Sequence, residues 1–227
     1  SLFTVRKGYL MVGHDASGLE LRMLADAIND TGFTKEVVNG DIHTKNQTDA
    51  GLPTRDNAKT FIYAFIYGAG DAKIGVIVGG SRVVGKRIKQ RFLAANPQLA
   101  ATITNTQQAA SRGYLISHDG RRITMRKDKF TGQVQTHKAL NTRLQTAGAL
   151  VMKYSMVILD EWVTQYGLDS LKVIDMHDES QSEVAEKDAQ MMATLGPMSI
   201  VLAGQMLNLN VPLAGDAKVG RNWAETH

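Results

Sequence analysis

Cysteine is absent from the 227 residues. The chain therefore has neither disulfides nor thiolate metal ligands at its disposal, and an intracellular, cytoplasmic setting is expected. No run of eighteen apolar residues occurs, and the first residues lack the charged, apolar and small-residue order of a signal peptide, so no membrane partner is expected. Low-complexity tracts and internal repeats are also missing. Charge of one sign is only slightly in excess, at a formal net charge of +4, which weakly favours a polyanionic partner. What is present is 43% hydrophobic residues, enough to bury the core of one large domain or two small ones.

The stretch that organises the chain is Met11 to Ala25. A short apolar strand, Tyr9 to Val12, leads through a turn bearing Asp15 into a segment with Leu19, Met23 and Leu24 at helical spacing. A carboxylate released at the end of a buried strand is rigidly held yet open to a cleft, as a metal-binding acid needs to be. It is equally an ordinary helix N-cap on local grounds. A second acid, Asp178, in Met176-His177-Asp178-Glu179, and a cationic helix between the two favour the metal reading.

That helix runs from Pro53 to Gly68. Thr54 is its N-cap and Gly68 its C-terminal stop. Arg55, Lys59, Tyr63 and Tyr67 form an i, i+4 ridge, while Ala58, Phe61 and Phe65 share a face that can pack inward. A solvated basic start ahead of an aromatic core is the bland alternative. Over about 18 Å of rise, cations at the helix start, reinforced by the dipole, can hold a triphosphate while the tyrosines meet a sugar and base.

Elsewhere, Asn29 to Gly32 reads as a break, and Asn39 to His43 as a loop or helix entry. Residues 71–112 are helical in pattern, interrupted at Gly79-Gly80 and Asn96-Pro97, with Lys86, Arg87, Lys89 and Arg91 read as a wet face. Tyr114 to Met125 is a hairpin around His118-Asp119-Gly120, and Arg126 to Gly132 a basic loop. Thr136 to Tyr166 reads as one long helix with Leu140, Leu144, Ala147, Leu150, Val151, Tyr154, Val157 and Ile158 on its apolar side; Asn141 and Gln145 lie four apart. Neutral amides suit minor-groove acceptors at base edges, and they equally suit an exposed helix surface. Leu171 to Ile174 reads as a buried strand, Glu183-Val184 as a return strand with His177-Asp178 at the turn, and Asp188 to Leu207 as a helix broken at Gly196-Pro197.

Three of these segments carry a resemblance. Asp15-Ala16-Ser17-Gly18-Leu19-Glu20-Leu21-Arg22, the helix with Arg55, Lys59, Tyr63 and Tyr67-Gly68, and His177-Asp178-Glu179 resemble motifs A, B and C of the family A DNA polymerases, in order and at suitable separations. The likeness spans essentially the whole chain. It is nearest to the replicative polymerases of short-tailed phages, through Gly40-Asp41-Ile42-His43-Thr44-Lys45-Asn46-Gln47 and Asn222-Trp223-Ala224. It implies an α/β (α+β) fold: a small antiparallel palm sheet with packed helices, and a mostly helical fingers subdomain. The expected division is palm over 1–42, fingers over 43–112, and palm again over 113–227. The location, for a phage-encoded protein, is the host-cell cytoplasm.

The resemblance implies template-directed DNA polymerisation. Nucleotidyl transfer builds charge on the attacking 3′ oxygen and the leaving pyrophosphate, and two divalent ions about 3.5 to 4 Å apart stabilise both. Two Mg²⁺ ions, with Mn²⁺ as a substitute, are implied on Asp15, Asp178 and the Ala16 carbonyl. By the same likeness His43, Arg55 and Lys59 hold the triphosphate, and Lys59 protonates the pyrophosphate. Tyr63 packs on the incoming sugar and base, Glu20 is the steric gate against a 2′-hydroxyl, and Tyr67 takes the template side. Asn141 and Gln145 read the primer-template minor groove, His177 approaches the primer terminus, and Glu179 sits near the metals. Tyrosine rather than phenylalanine at 63 implies weak rejection of dideoxynucleotides. The polar Ser180, Gln181 and Ser182 depart from the family's apolar strand and put the sheet packing there in question.

Only fourteen residues precede Asp15, so the expected partners are primer-template DNA, deoxynucleoside triphosphates and a separately supplied N-terminal thumb and exonuclease segment or subunit. A protein-splicing junction at Ser1 is one way to such a division. Two alternatives belong beside this reading. A single-subunit RNA polymerase shares the palm plan, although Glu20 and Glu179 favour DNA. A non-catalytic DNA-binding fragment of a divided polymerase would bind DNA after Asp15→Ala and extend no primer.

Overall fold

A computed structural model describes residues 3–227; Ser1, with the splice junction expected there, and Leu2 lie outside the described residues. In chain order the elements are β1 (Tyr9–Ala16), α1 (Leu19–Ile28), α2 (Thr31–Asn39), α3 (Ile42–Ala50), α4 (Arg55–Ile66), α5 (Asp71–Ile77), α6 (Arg82–Ala95), α7 (Pro97–Ala110), β2 (Tyr114–Ile116) and β3 (Arg122–Thr124). They continue as α8 (Ala139–Tyr166), β4 (Ser170–Met176), β5 (Glu179–Ala185), α9 (Ala189–Met206), β6 (Gly215–Gly220) and α10 (Trp223–Thr226). The chain forms two compact units, residues 1–22 with 147–227, and residues 23–146. Among the described residues no helix is long and apolar enough to cross a membrane.

The first unit is built on an antiparallel sheet in the order β4-β5-β1-β6. β1 is longer than the Tyr9 to Val12 expected, because pairing with both β5 and β6 carries it through Asp15 to Ala16. Asp15 is thus a strand residue and not a turn residue. Val12 and Val184 pack against Leu159, Met192 and Leu195 from the helices and Leu168 from the α8–β4 loop. The buried strand expected at Leu171 to Ile174 lies at the sheet edge, where Leu171 is 59% exposed. The central strand is instead the polar one. Ser180 Oγ donates to the Ile174 carbonyl and to Asp175 Oδ1, and Gln181 Oε1 accepts from Thr226 Oγ1. Buried polar groups with partners are tolerated in a core, so the sheet closes normally over Ser180, Gln181 and Ser182. Gly13 makes room for this, because a Cβ there would lie 2.3 Å from Gln181 Nε2.

No break occurs at Gly196-Pro197. α9 runs through Pro197, and Gly196 lets it press on β1, where a Cβ would come within 2.7 Å of the His14 ring. Burial of Met192, Leu195, Ile200 and Ala203 outweighs the missing proline N–H. Val157, expected on the apolar side of α8, is exposed, and Ser155 is buried there instead, hydrogen-bonded to Ser199 at 2.7 Å.

The second unit is largely helical. Asp30, Asp41 and Thr54 cap α2, α3 and α4 with their side chains, so the segment from Asn39 to His43 is a helix-to-helix junction. Thr54 and Gly68 act at the ends of α4 as expected, Gly68 with φ +76°. Phe61 and Phe65 turn inward and meet Phe92 of α6 edge-on, with ring centroids 5.1 and 5.4 Å from the Phe92 ring. α5 and α6 approach closely at Gly75 and Gly85; a Cβ on Gly85 would lie 1.9 Å from the Asp71 carbonyl oxygen. Part of the supposed wet face is structural: Lys89 pairs with Asp71 at 3.1 Å, and Arg91 donates to the Thr48 carbonyl. Asp26, buried near the end of α1, pairs with His118 of the β2–β3 hairpin at 2.9 Å.

Candidate active site

In the first unit, the two acids separated by most of the sequence come together at one end of the sheet. β4 and β5 join through the two residues His177 and Asp178, since Met176 pairs with Glu179. Asp15 is the register partner of Glu179, and the Ala16 N–H donates to the Asp178 carbonyl at 2.9 Å. His177 holds φ +55°, an uncommon conformation for a non-glycine residue and one that recurs where a turn must aim a functional group. Glu20 lies in the first turn of α1.

Electrostatics mark this end of the sheet as poised for cations. The Asp178 carboxyl is raised above its ordinary range, by burial first and then by Glu20 and Asp15. That of Asp15 is raised too, by burial and then by Asp216 and Glu179. Neither forms a salt bridge among the described residues. Two such carboxylates outside any salt bridge, with Lys218 and His227 acting on Asp15 and His177 on Asp178 only at longer range, fit Mg²⁺, which takes few protein acids and completes its shell with water and phosphate; a cage of three or more His, Cys, Asp or Glu is absent among the described residues.

Glu179 is differently placed. Its Oε1 accepts from Trp223 Nε1 and Gln181 Nε2, each at 2.6 Å, and its Oε2 meets His227 Nδ1 at 2.5 Å. Both oxygens thus anchor the α10 segment. Sequence reasoning also passed over β6, which sets Asp216 opposite Asp15 and gives Ser17 Oγ an acceptor at 2.8 Å. The acid in Gly215-Asp216 was the only signal available.

In the second unit, the residues expected to meet a nucleotide gather at the starts of α3 and α4. Arg55 Nε and Nη2 donate to the two oxygens of Asp41 at 2.8 and 3.1 Å. Asp41 also accepts from the His43 and Thr44 N–H groups and from Thr44 Oγ1. The His43 and Tyr63 ring centroids lie 6.3 Å apart. His43 is held below its ordinary pKa by burial and by the positive charges of Arg55 and Lys59, against the pull of Asp41. Lys59 is exposed. This is an electropositive cradle with a neutral imidazole inside it, suited to polyphosphate.

Also in this unit, Tyr67, Asn141 and Gln145 line one cavity of about 590 Å³, with Arg126, Gln135 and Lys138 on its walls. The Asn141 Oδ1 and Gln135 Oε1 atoms are buried acceptors with no hydrogen-bond partner.

A DNA-directed DNA polymerase of Escherichia phage Phieco32 is 47% identical, over 96% of this chain and 40% of the phage protein. That of Escherichia phage T7 is 39% identical over 97% and 34%, and DNA polymerase I of Pseudomonas aeruginosa 28% over 99% and 26%. The chain thus spans well under half the length of these relatives. The POL domain of Pol1 from M. smegmatis, solved in complex with DNA primer-template and dNTP, superposes with a TM-score of 0.84 at 24% identity, covering 97% of this chain and 41% of that one. The DNA polymerase family A model matches residues 1–225, and the chain belongs to that family.

Proposed function

We propose that the chain is the palm and fingers portion of a template-directed DNA polymerase, adding deoxynucleotides to a primer 3′ end. The observation that carries this reading is the pair Asp15 and Asp178, adjacent across the β1–β5 end and both held above the ordinary carboxylate range. Bound divalent ions would lower the pKa of the attacking hydroxyl and neutralise charge on the phosphates. Asp15, Asp178 and the Ala16 carbonyl would hold them. Burial and mutual repulsion oppose ionisation of the two acids, and bound cations would relieve that repulsion and hold both ionised.

The cradle residues bind and orient. Arg55 and Lys59 would take the triphosphate, His43 would donate to it from a neutral ring, and Lys59 would give its proton to the departing pyrophosphate. Tyr63 would pack on the sugar and base, Glu20 would exclude a 2′-hydroxyl, Tyr67 would lie on the template side, and Asn141 and Gln145 would read minor-groove acceptors. His177 would reach the primer terminus. Glu179 acts by holding α10 against the sheet. A thumb and exonuclease portion, from the same or another chain, would complete the DNA grip; the greater length of the relatives supports this.

Asp41 is a positioning residue in this reading, because its two-point bond fixes the plane of the Arg55 guanidinium. Asparagine is as good a helix N-cap as aspartate, so Asp41→Asn keeps the backbone cap of α3 and loosens Arg55, along with the Thr44 hydroxyl that shares Asp41 Oδ2. The Michaelis constant for deoxynucleotide should rise about three- to tenfold, from ordering one long side chain, with little change in kcat. A lower Michaelis constant would show that Asp41 competes with the nucleotide instead.

Primer extension by the chain with Mg²⁺, with and without the upstream portion of a phage relative, tests the function itself. Deoxynucleotide incorporation supports it. Incorporation of ribonucleotides alone would favour an RNA polymerase, and DNA binding without extension under either condition a non-catalytic module.

A further inference from the structure

The basic segment that the sequence presents as a loop is a second small hairpin. The Gln135 N–H donates to the Arg126 carbonyl at 2.9 Å, Lys127 and Val134 form an antiparallel bridge, and the Asp128 N–H donates to the Gln133 carbonyl at 2.8 Å. Its tip is closed by Asp128, whose Oδ1 accepts from the Phe130 N–H, the Thr131 N–H and Thr131 Oγ1 at 3.0, 2.9 and 3.1 Å. Gly132 supplies the left-handed residue, with φ +69°. On this fixed tip Phe130 is 98% exposed, more than any other large hydrophobic residue of the described chain.

We propose that residues 126–135 are an arm that binds single-stranded template, with Phe130 stacking on an unpaired base and Arg126, Lys127 and Lys129 meeting its phosphates. The inference rests on the DNA polymerase reading above. Three observations lead to this partner. A phenylalanine held in water contributes nothing to the core, whereas every nucleic-acid base offers a face to an aromatic ring. The surrounding charge is complementary to a polyanion, since the three exposed cations outnumber the one acid of the segment, whose Oδ1 is turned into its own turn. The arm is also continuous with the cavity of Tyr67, Asn141 and Gln145, because Arg126 and Gln135, bonded to each other at its base, both line that cavity. A strand leaving the cavity along this wall would meet the cations first and the ring last.

The test measures binding of the chain to a primer-template with a 5′ template overhang and to a blunt duplex of the same paired length. The proteins compared are the natural chain, Phe130→Ala, Phe130→Trp and the double variant Lys127→Gln, Lys129→Gln. Phe130→Ala should weaken overhang binding about fivefold or more, as loss of one base–aromatic stack does, and leave the blunt duplex unchanged; Phe130→Trp should restore it. The lysine double variant should reduce the slope of log affinity against log salt by about 1.4, two phosphates' worth for single strands. The melting temperatures of the variants should equal that of the natural chain, as the altered side chains are exposed. Overhang affinity unaltered in Phe130→Ala, or an equal loss on overhang and blunt DNA, would overturn the arm. Failure of the natural chain to bind either DNA even with the upstream portion of a phage relative present would overturn the polymerase reading beneath it.

Discussion

Replacing Asp178 with alanine is expected to slow primer extension roughly a thousandfold or more, the scale of losing preorganised charge stabilisation in a transition state, with DNA affinity almost unchanged. The turn survives the substitution because Asp178 contributes to it through its backbone: its carbonyl accepts from the Ala16 N–H, and the β4–β5 register is set by pairs on either side. The carboxylate itself is a burden on the metal-free fold. Burial, Glu20 and Asp15 all oppose its ionisation. A group whose folded pKa is raised favours the fold below that pKa and loses this contribution as pH rises through it. At neutral pH the variant should therefore melt at the same temperature as the natural chain or higher. Added Mg²⁺ should stabilise the natural chain and have a smaller effect on the variant. A variant that is both inactive and less stable would instead indicate a structural role for the side chain.

The second large effect concerns stability. Phe61→Ala should destabilise the chain by about 3 to 5 kcal/mol, the usual range for a fully buried aromatic, measured by urea denaturation. Phe61 is completely buried, with its ring 5.1 Å from Phe92 and 5.8 Å from Phe65. Its loss would leave a cavity on the inward face of α4, the helix that carries Arg55, Lys59 and Tyr63 on its other side. Nucleotide affinity should fall even at temperatures where the variant remains folded. A cost below about 1 kcal/mol would mean that the three-ring cluster closes around the gap.

Features fixed by local chemistry were legible in the sequence. Thr54, Gly68 and the inward spacing of Phe61 and Phe65 needed only capping preferences and the helical period, and α4 follows them. Asp15 and Asp178 were recognisable through motifs that adjoin short strands. What escaped depends on partners far along the chain. Leu171 and Val173 look like core by composition, yet β4 is an edge strand, and only the sheet order reveals that. The polar run Ser180-Gln181-Ser182 looks unsuited to a central strand, yet Gln181 finds Thr226 and the space above Gly13. β6 has little apolar character and owes its existence to pairing with β1. Gly196-Pro197 reads as a helix break, but the absence of a side chain at Gly196 lets α9 fit the buried His14. That imidazole is pushed down to about 4 by burial and so stays neutral at physiological pH.

The central claim is that Asp15 and Asp178 act as one unit. The most direct measurement is a double-mutant cycle on the primer-extension rate with Mg²⁺, using Asp15→Asn, Asp178→Asn and both together. Residues that jointly hold the same ions lose their function once either is gone, so the double variant should be scarcely slower than either single variant. Losses that multiply in the double variant would mean that the two carboxylates work independently, and would contradict the account.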